Sequence, residues 1–289
     1  MKKNLKKITI VLISYKSTNK IKRFIKKIPN SIKILIIDNS KDYHLKKIFK
    51  KKRNIKIYFN KNNGYGSSIN YAFQKIKTPY FLVTQPDVIG IKEDSLLKFY
   101  KYSKKLKDNF SVIGPHFRNA SKKGHFQTNL KFNIKEIHNV HGSTMFFNKK
   151  TFSKIKGFDK NIFLYWEETD FTRRAIKKGY KAYQLNEVKV IHEKGKAVKT
   201  NNTADRLKLE ILYTWHFIWS KYYYYKKHFG IIFSLLIFMP VIIRILFRIL
   251  INKKNKKKFL KYSYRWDGLK KSIFLKKSSL RLDDIIIPE

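Results

Sequence analysis

The sequence predicts an α/β protein, a largely parallel sheet flanked by helices and followed by a basic, partly apolar helical extension. Three observations carry this. Short β-branched runs alternate with helical segments over the first 115 residues. Acidic residues, scarce elsewhere, stand at the ends of those runs. Beyond position 205 the composition turns aromatic and basic, and then loses all charge over residues 229–243.

The elements follow in order. Residues 8–14 (ITIVLIS) form a run of the kind expected for a strand buried on both faces. A helix over residues 20–27 is ended by Pro29, and residues 34–37 make a second buried strand closing in Asp38. A short helix at 45–49 leads to a third strand at 55–59, which ends in the turn Asn62-Asn63-Gly64-Tyr65-Gly66. A helix over 67–74 and a fourth strand at 80–84 follow, stopped by Pro86 and Asp87. Strands separated by helices argue a parallel sheet with right-handed crossovers, whose ligands sit at the carboxyl ends of the strands. Asp38, Asn62 to Gly66 and Asp87 all lie at such ends. Further along, the pattern predicts helices at 94–105, 149–155 and 167–178, with strands at 111–114, 141–147 and 188–192.

The composition narrows the function. There are no cysteines, which removes disulfides, cysteine zinc sites and thiol catalysis. The net charge of +47 raises a nucleic-acid or anionic-membrane reading. The cations are 56 Lys against 10 Arg, spread along the whole chain, whereas base and phosphate readers lean on Arg forks. No specific nucleic-acid partner is therefore expected; a basic nucleic-acid or membrane-surface binding protein stays as the alternative. The six-residue apolar run after Met1 lacks a cleavage site, and no export signal is evident.

The densest clue is residues 163–174, FLYWEETDFTRR, which place Glu167, Glu168 and Asp170 within four positions behind Tyr165 and Trp166. Acids suit the first turn of a helix, but crowded carboxylates also raise one another's pKa and ask for a cation, a proton-transfer role or an Arg partner. Glu167, Asp170 and Arg174 share a helical face, so Arg174 is placed to pair with Asp170 and Glu168 is left pointing elsewhere. A carboxylate at a helix start beside Trp166 suits a general base. Asp38 can accept from a pyrimidine imide, from a ribose hydroxyl, or cap the following helix. Asp87 is the obvious single carboxylate for a divalent cation, and His192, ending a strand, can add a nitrogen ligand. His116, His138 and His141 show no metal-ligand spacing.

The order of residues 8–15, 34–40, 62–70, 85–88, 142–147, 157–159, 165–174 and 190–195 resembles the family 2 glycosyltransferases over about residues 8–195. The resemblance implies an inverting, metal-dependent enzyme with a GT-A fold. Asp38 would hold the nucleotide with Ser14, Tyr15, Asn62 and Gly64 alongside. Asp87 would bind a metal–diphosphate (Mg2+ or Mn2+) with His192 as auxiliary ligand, and Glu168 would be the base. Trp166, Glu167, Asp170 and Arg174 would support the acceptor side. Three positions depart from the family pattern: Ser14-Tyr15-Lys16 replaces Thr-Tyr-Asn, Gln85-Pro86-Asp87 replaces Asn-Pro-Asp, and Glu167-Glu168 replaces Glu-Asp. The last lengthens the base by one methylene, and an inactive relative is the alternative.

The tail adds a subgroup. Residues 222–230 (YYYYKKHFG) and Asp267-Gly268-Leu269 look like bacterial rhamnosyltransferase-type members. That likeness implies a dTDP- or UDP-sugar donor, a saccharide or lipid-linked acceptor, and surface-polysaccharide synthesis. The expected division is a catalytic domain at 1–204 and an extension at 205–289. Within the latter, residues 229–251 hold an uncharged run containing Pro240, then Arg244 and Arg248, and a Lys cluster follows. The run is short of the roughly 20 apolar residues of a span. An interfacial helix or hairpin on an anionic membrane is preferred over a span or a buried helix. The expected location is peripheral or monotopic, on the cytoplasmic face of the plasma membrane.

Overall fold

A computed structural model describes residues 2–119, 132–193 and 202–287. These divide into two compact units, one of residues 1–159 with 168–199, the other of residues 160–167 with 200–289.

In the first unit, α1 (Lys2–Leu5) precedes β1 (Ile8–Ser14), buried at every position. Then come α2 (Thr18–Ile25), β2 (Lys33–Asp38), α3 (His44–Phe49), β3 (Ile55–Phe59), α4 (Tyr65–Lys75) and β4 (Tyr80–Thr84). β1 pairs in parallel with β2 on one side and β4 on the other, and β3 adds in parallel beyond β2. Strands covered by helices on both faces must be apolar throughout, which is why these runs read as continuous Ile, Leu and Val.

The parallel order stops at β4, a correction to the mostly parallel sheet expected from the sequence. After β5 (Val88–Ile89) and α5 (Glu93–Lys105) come β6 (Val112–Phe117), β7 (Ile134–Ile137), β8 (Thr144–Asn148), α6 (Lys149–Lys154), α7 (Glu167–Ile176) and β9 (Ala182–His192). β8 lies antiparallel between β4 and β6, and β9 runs parallel to β6. Along its far edge β9 pairs antiparallel with β7 at its start and with β5 at its end. The described strands form one mixed sheet in the order β3-β2-β1-β4-β8-β6-β9-β5, with β7 beside β9. Alternation of strand and helix held only as far as β4; between β4 and β8 the chain passes through β5, α5, β6 and β7, and β8 returns antiparallel to β4. β5 and β7, two and four residues long, were too short to be read from the pattern.

Phenylalanine fills the floor of this half. Phe81, Phe147, Phe152, Phe158 and Phe171 pack with ring centres 5.0–6.0 Å apart, tying β4, β8, α6 and α7 together. Such pairs add about 1 kcal/mol each beyond area burial.

The second unit holds α8 (Thr203–Phe229), α9 (Ile231–Ile251) and α10 (Lys256–Ile273), followed by a 3-10 turn at Leu282–Asp284. Trp215, Trp219, Ile211, Leu280 and Ile285 form one core; Ile218, Tyr222, Phe238, Ile245 and Leu269 form another. Asp267-Gly268-Leu269 now has a packing explanation. Trp215 Nε1 donates to Asp267 Oδ2 at 2.8 Å, and Leu269 is fully buried. A Cβ on Gly268 would fall 2.8 Å from the Trp215 carbonyl oxygen, so only glycine lets α10 approach α8 this closely. Residues 231–251 are one continuous helix rather than a hairpin, with Pro240 inside it. It is long and apolar enough to cross a membrane by length and composition.

Candidate active site

Two buried carboxylates stand at the carboxyl ends of the parallel strands, and their surroundings differ. Asp38, the last residue of β2, is fully buried. Its Oδ1 accepts from Ser40 Oγ at 2.9 Å and its Oδ2 from the Asp42 N–H at 2.8 Å. It therefore shapes the turn after β2. Ser14 lies beside it in register on β1, with its Oγ 3.0 Å from that of Ser17. Tyr15 follows, and the N–H of Lys16, at φ +50°, donates to Ser40 Oγ. The loop holding Asn62 and Gly64 joins this corner: Asn39 Nδ2 donates to Ser68 Oγ, which in turn donates to the Gly64 carbonyl at 2.8 Å. Ser14, Tyr15 and Asp38 thus share one hydrogen-bonded corner, and Asn39 links it to the Gly64 turn.

Asp87 is also buried, yet among the described residues neither of its carboxylate oxygens receives a hydrogen bond. The pairing of β5 with β9 sets Val88 opposite His192, which brings His192 Nε2 to 3.4 Å from Asp87 Oδ2. The other His192 ring nitrogen is buried and lacks a partner. A buried carboxylate without donors costs several kcal/mol unless a cation or proton meets it. Among the described residues no group of three His, Asp or Glu side chains is placed to hold a metal. One carboxylate oxygen donor and one imidazole, with positions left for phosphate and water, fit a divalent cation of the Mg2+ or Mn2+ kind.

Glu168 lies in the first turn of α7. The two residues before α7, Tyr165 and Trp166, take left-handed φ values of +66° and +68°, conformations that bulky side chains adopt only under constraint. Burial raises the Glu168 pKa to about 7. The residue surface is only partly covered; the carboxyl end lies deep, facing Gly142, where an added Cβ would meet Glu168 Cδ and Oε2 at 3.4 Å. Glycine here faces the carboxyl group without a side chain of its own. The loop is held from three sides. Tyr65 OH donates to the Gly142 carbonyl at 2.8 Å, Asn139 Nδ2 donates to Thr169 Oγ1 at 2.8 Å, and Thr172 Oγ1 donates to Asn139 Oδ1 at 3.2 Å. The ring of His141, next to Gly142, lies 5.3 Å from that of His192. One loop, residues 139–143, therefore touches both Glu168 and the Asp87–His192 pair.

Arg174 Nε donates to Asp170 Oδ2 at 2.8 Å, and its two terminal nitrogens donate to the Ile155 and Gly157 carbonyls at 2.6 Å each. Gly157 has φ +60°, and a Cβ there would meet Asn70 Oδ1 at 2.5 Å. Asn70 in turn exchanges two hydrogen bonds with the Phe158 backbone. Asp170 and Arg174 thus brace α7 rather than line the reaction path. Trp166 and Glu167 belong to the second unit, Trp166 packing on Tyr224 at 5.1 Å. Of the stretch 190–195, residues 194 and 195 lie outside the described residues.

The roles of Tyr65, Asn70, Asn139, His141 and Gly142 escaped sequence reasoning because their partners are 26 to 88 residues away. A separate cleft of about 790 Å³ lies at the opposite, amino ends of the strands; its lining includes Lys33, Lys52, Arg53, Lys56, Lys75 and Lys77 and no carboxylate.

The geometry agrees with comparisons to known proteins. The chain is 24% identical over 228 residues to the low-salt glycan biosynthesis hexosyltransferase Agl10 of Haloferax volcanii, covering 71% of each. Its fold matches the mannosyltransferase PcManGT from Pyrobaculum calidifontis, solved with GDP-Man and Mn2+ (TM-score 0.55, 10% identity, 94% of this chain and 88% of that one). It also matches residues 1–349 of S. aureus TarS, solved with UDP-GlcNAc (TM-score 0.53, 12% identity, 93% and 92%). Against a longer TarS chain it spans 39% of the length. The description Glycosyl transferase family 2 matches residues 9–175, more than half of the sequence, and the chain belongs to that family.

Proposed function

We propose that this glycosyltransferase moves a sugar from a nucleotide diphosphate donor to a hydroxyl of a saccharide or lipid-linked acceptor, with inversion at the anomeric carbon. The observation that carries the reading is the pairing of roles in one unit: a base poised near pH 7 at Glu168, and a donor-free carboxylate at Asp87.

Glu168, ionised, accepts the acceptor hydroxyl proton as that oxygen forms its bond to the anomeric carbon. The bond from that carbon to the diphosphate oxygen breaks in the same displacement. A sugar hydroxyl is too weak an acid to ionise beforehand, so proton transfer accompanies attack, an effect worth about 10²–10⁴-fold. Gly142 presents no side chain toward that carboxylate. Asp87 and His192 would hold the divalent cation, which supplies charge neutralisation for the departing diphosphate. The corner of Ser14, Tyr15, Asp38, Asn62 and Gly64 would take the nucleoside. Since Asp38 already has two donors, backbone and hydroxyl groups of the turn it shapes share that task.

The donor is read as a dTDP- or UDP-sugar, with dTDP-rhamnose favoured by the likeness of residues 222–230 and Asp267-Gly268-Leu269. The solved neighbours carry GDP-Man or UDP-GlcNAc, so a panel of all three nucleotides decides. The product is read as a cell-surface polysaccharide made at the cytoplasmic face of the plasma membrane. The exposed apolar side of α9 and the Lys cluster after it support attachment to an anionic surface. The test is a melting and turnover screen of dTDP-, UDP- and GDP-sugars with and without Mn2+. One nucleotide class should raise Tm and release nucleoside diphosphate only with the cation. No stabilisation by any donor would remove the reading.

A further inference from the structure

The loop of residues 139–143 meets both Glu168 and the Asp87–His192 pair, and what fixes it can be traced bond by bond. Asn139 ties its start to α7: Nδ2 donates to Thr169 Oγ1 at 2.8 Å, and Oδ1 accepts from Thr172 Oγ1 at 3.2 Å and from the Val140 N–H at 2.9 Å. Its end is tied to the chain just after β4, where the Gln85 N–H donates to the Ser143 carbonyl at 2.9 Å. The middle is held from a different element. Tyr65, the first residue of α4, donates its hydroxyl to the Gly142 carbonyl at 2.8 Å. Tyr65 is buried, and the turn before it is set by Gly64 at φ +104° and by Ser68 Oγ donating to the Gly64 carbonyl. Gly142 in turn stands against Glu168, since a Cβ there would touch Cδ and Oε2 at 3.4 Å. One phenol hydroxyl, 77 residues away in sequence, therefore holds the backbone that meets the carboxyl group.

We infer that Tyr65 is a positioning residue for the transfer step: acting through the Gly142 carbonyl, its hydroxyl holds loop 139–143 against the Glu168 carboxyl, aiming that group and keeping water from it. The inference rests on the reading of Glu168 as the base, and adds the residue that shapes its surroundings. A backbone carbonyl that loses its donor takes water instead, and here that water enters beside the carboxyl group. Burial disfavours the charged form of Glu168. Admitting water therefore lowers its pKa, whereas a methyl group added at Gly142 raises it. The titratable groups on the elements that meet Glu168 are Glu167 and Asp170 on α7, the latter paired with Arg174, His141 on the loop, and Tyr65 on α4. Replacing Tyr65 by Phe or Gly142 by Ala alters no charge among them near neutral pH.

The test measures kcat and donor KM against pH, with Mn2+, for the full chain, Tyr65→Phe and Gly142→Ala, beside melting curves. Tyr65→Phe keeps the ring and deletes the hydroxyl alone. Gly142 is not among the positive-φ residues, so its backbone admits alanine. Tyr65→Phe should lower the plateau kcat about tenfold with donor KM unchanged within about twofold, and should move the pH midpoint down. Gly142→Ala should also lower kcat, and should move the midpoint up. Opposite shifts of about half a pH unit are a signature that lost packing does not produce. A parental kcat and midpoint in Tyr65→Phe would overturn the inference. So would a rise in donor KM as large as the fall in kcat, which would put the hydroxyl's role in the donor loop. The same two shifts can be read without turnover, by carboxyl 13C NMR with the Glu168 signal assigned from Glu168→Gln. A parent that transfers sugar from no donor would remove the base reading, and opposite shifts of the Glu168 signal would still uphold the placement by Tyr65. Absence of those shifts would remove the placement too.

Discussion

The end of β2 and the segment after β4 offer the same chemical group to the same face of the sheet, and treat it in opposite ways. At the first, Asp38 is given a hydroxyl and a backbone N–H by the next four residues. At the second, Asp87 is buried as deeply and receives no hydrogen bond among the described residues, with His192 Nε2 3.4 Å from its Oδ2. The local sequence explains this. Asp38 is followed by Asn-Ser-Lys-Asp, whose small polar residues fold back onto it. Asp87 follows Pro86, which has no N–H, and enters a strand whose backbone groups are spent on β9. A satisfied buried acid is part of the scaffold; an unsatisfied one is held ready for a ligand.

Exchanging the two acids should break this contrast in opposite directions. Asp87→Asn should lower transfer by about 10³-fold, the several kcal/mol that a cation supplies to a leaving diphosphate, while Tm stays level or rises because an unpaired buried charge is gone. Initial rates beside melting curves check it, and an equal loss of stability would put Asp87 in the scaffold class. A second change sharpens the scaffold side. Arg174→Met should cost about 3 kcal/mol in denaturant unfolding, because it removes the ion pair to buried Asp170 and leaves two carbonyls without the Arg174 donors. Asp38→Asn should destabilise by about 2 kcal/mol, since the amide cannot accept from both former donors; transfer should fall less than about tenfold.

The base gives a smaller and pH-dependent signature. With Glu168 titrating near 7, kcat should fall about tenfold per pH unit below that value and level off above it. Stability runs the other way. The folded pKa lies above the ordinary carboxylate value, so the neutral form favours folding. That contribution is full below about 4.5 and is lost as pH rises through about 7. Glu168→Gln should therefore be more stable than the parent at pH 8, by about 2 kcal/mol, and equal to it at pH 4, as paired melts would read.

How much was legible follows the same physics. The four strands of the parallel half were readable, three of them to the residue, because burial on both faces imposes an unbroken apolar run. β5 and β7 were not, since so short a strand carries no period, and the antiparallel return of β8 depends on pairings far along the chain. Asp87, His192 and Glu168 could be picked out as acids or histidines at element ends. What Asp38 does was not decided by its position, only by Ser40 and the Asp42 N–H. The support of Glu168 by Asn139, Gly142 and Tyr65 had no local signal, because each acts through a partner brought in by tertiary structure.

The central claim is that Glu168 is the base of a nucleotide-sugar transferase whose donor site it does not build. The direct measurement is single-turnover transfer by Glu168→Gln beside donor binding by calorimetry, both with Mn2+. The account predicts a transfer rate 10²–10⁴-fold below the parent with donor Kd unchanged within about threefold. Transfer at the parental rate, or a donor Kd raised as much as the rate is lowered, would contradict it.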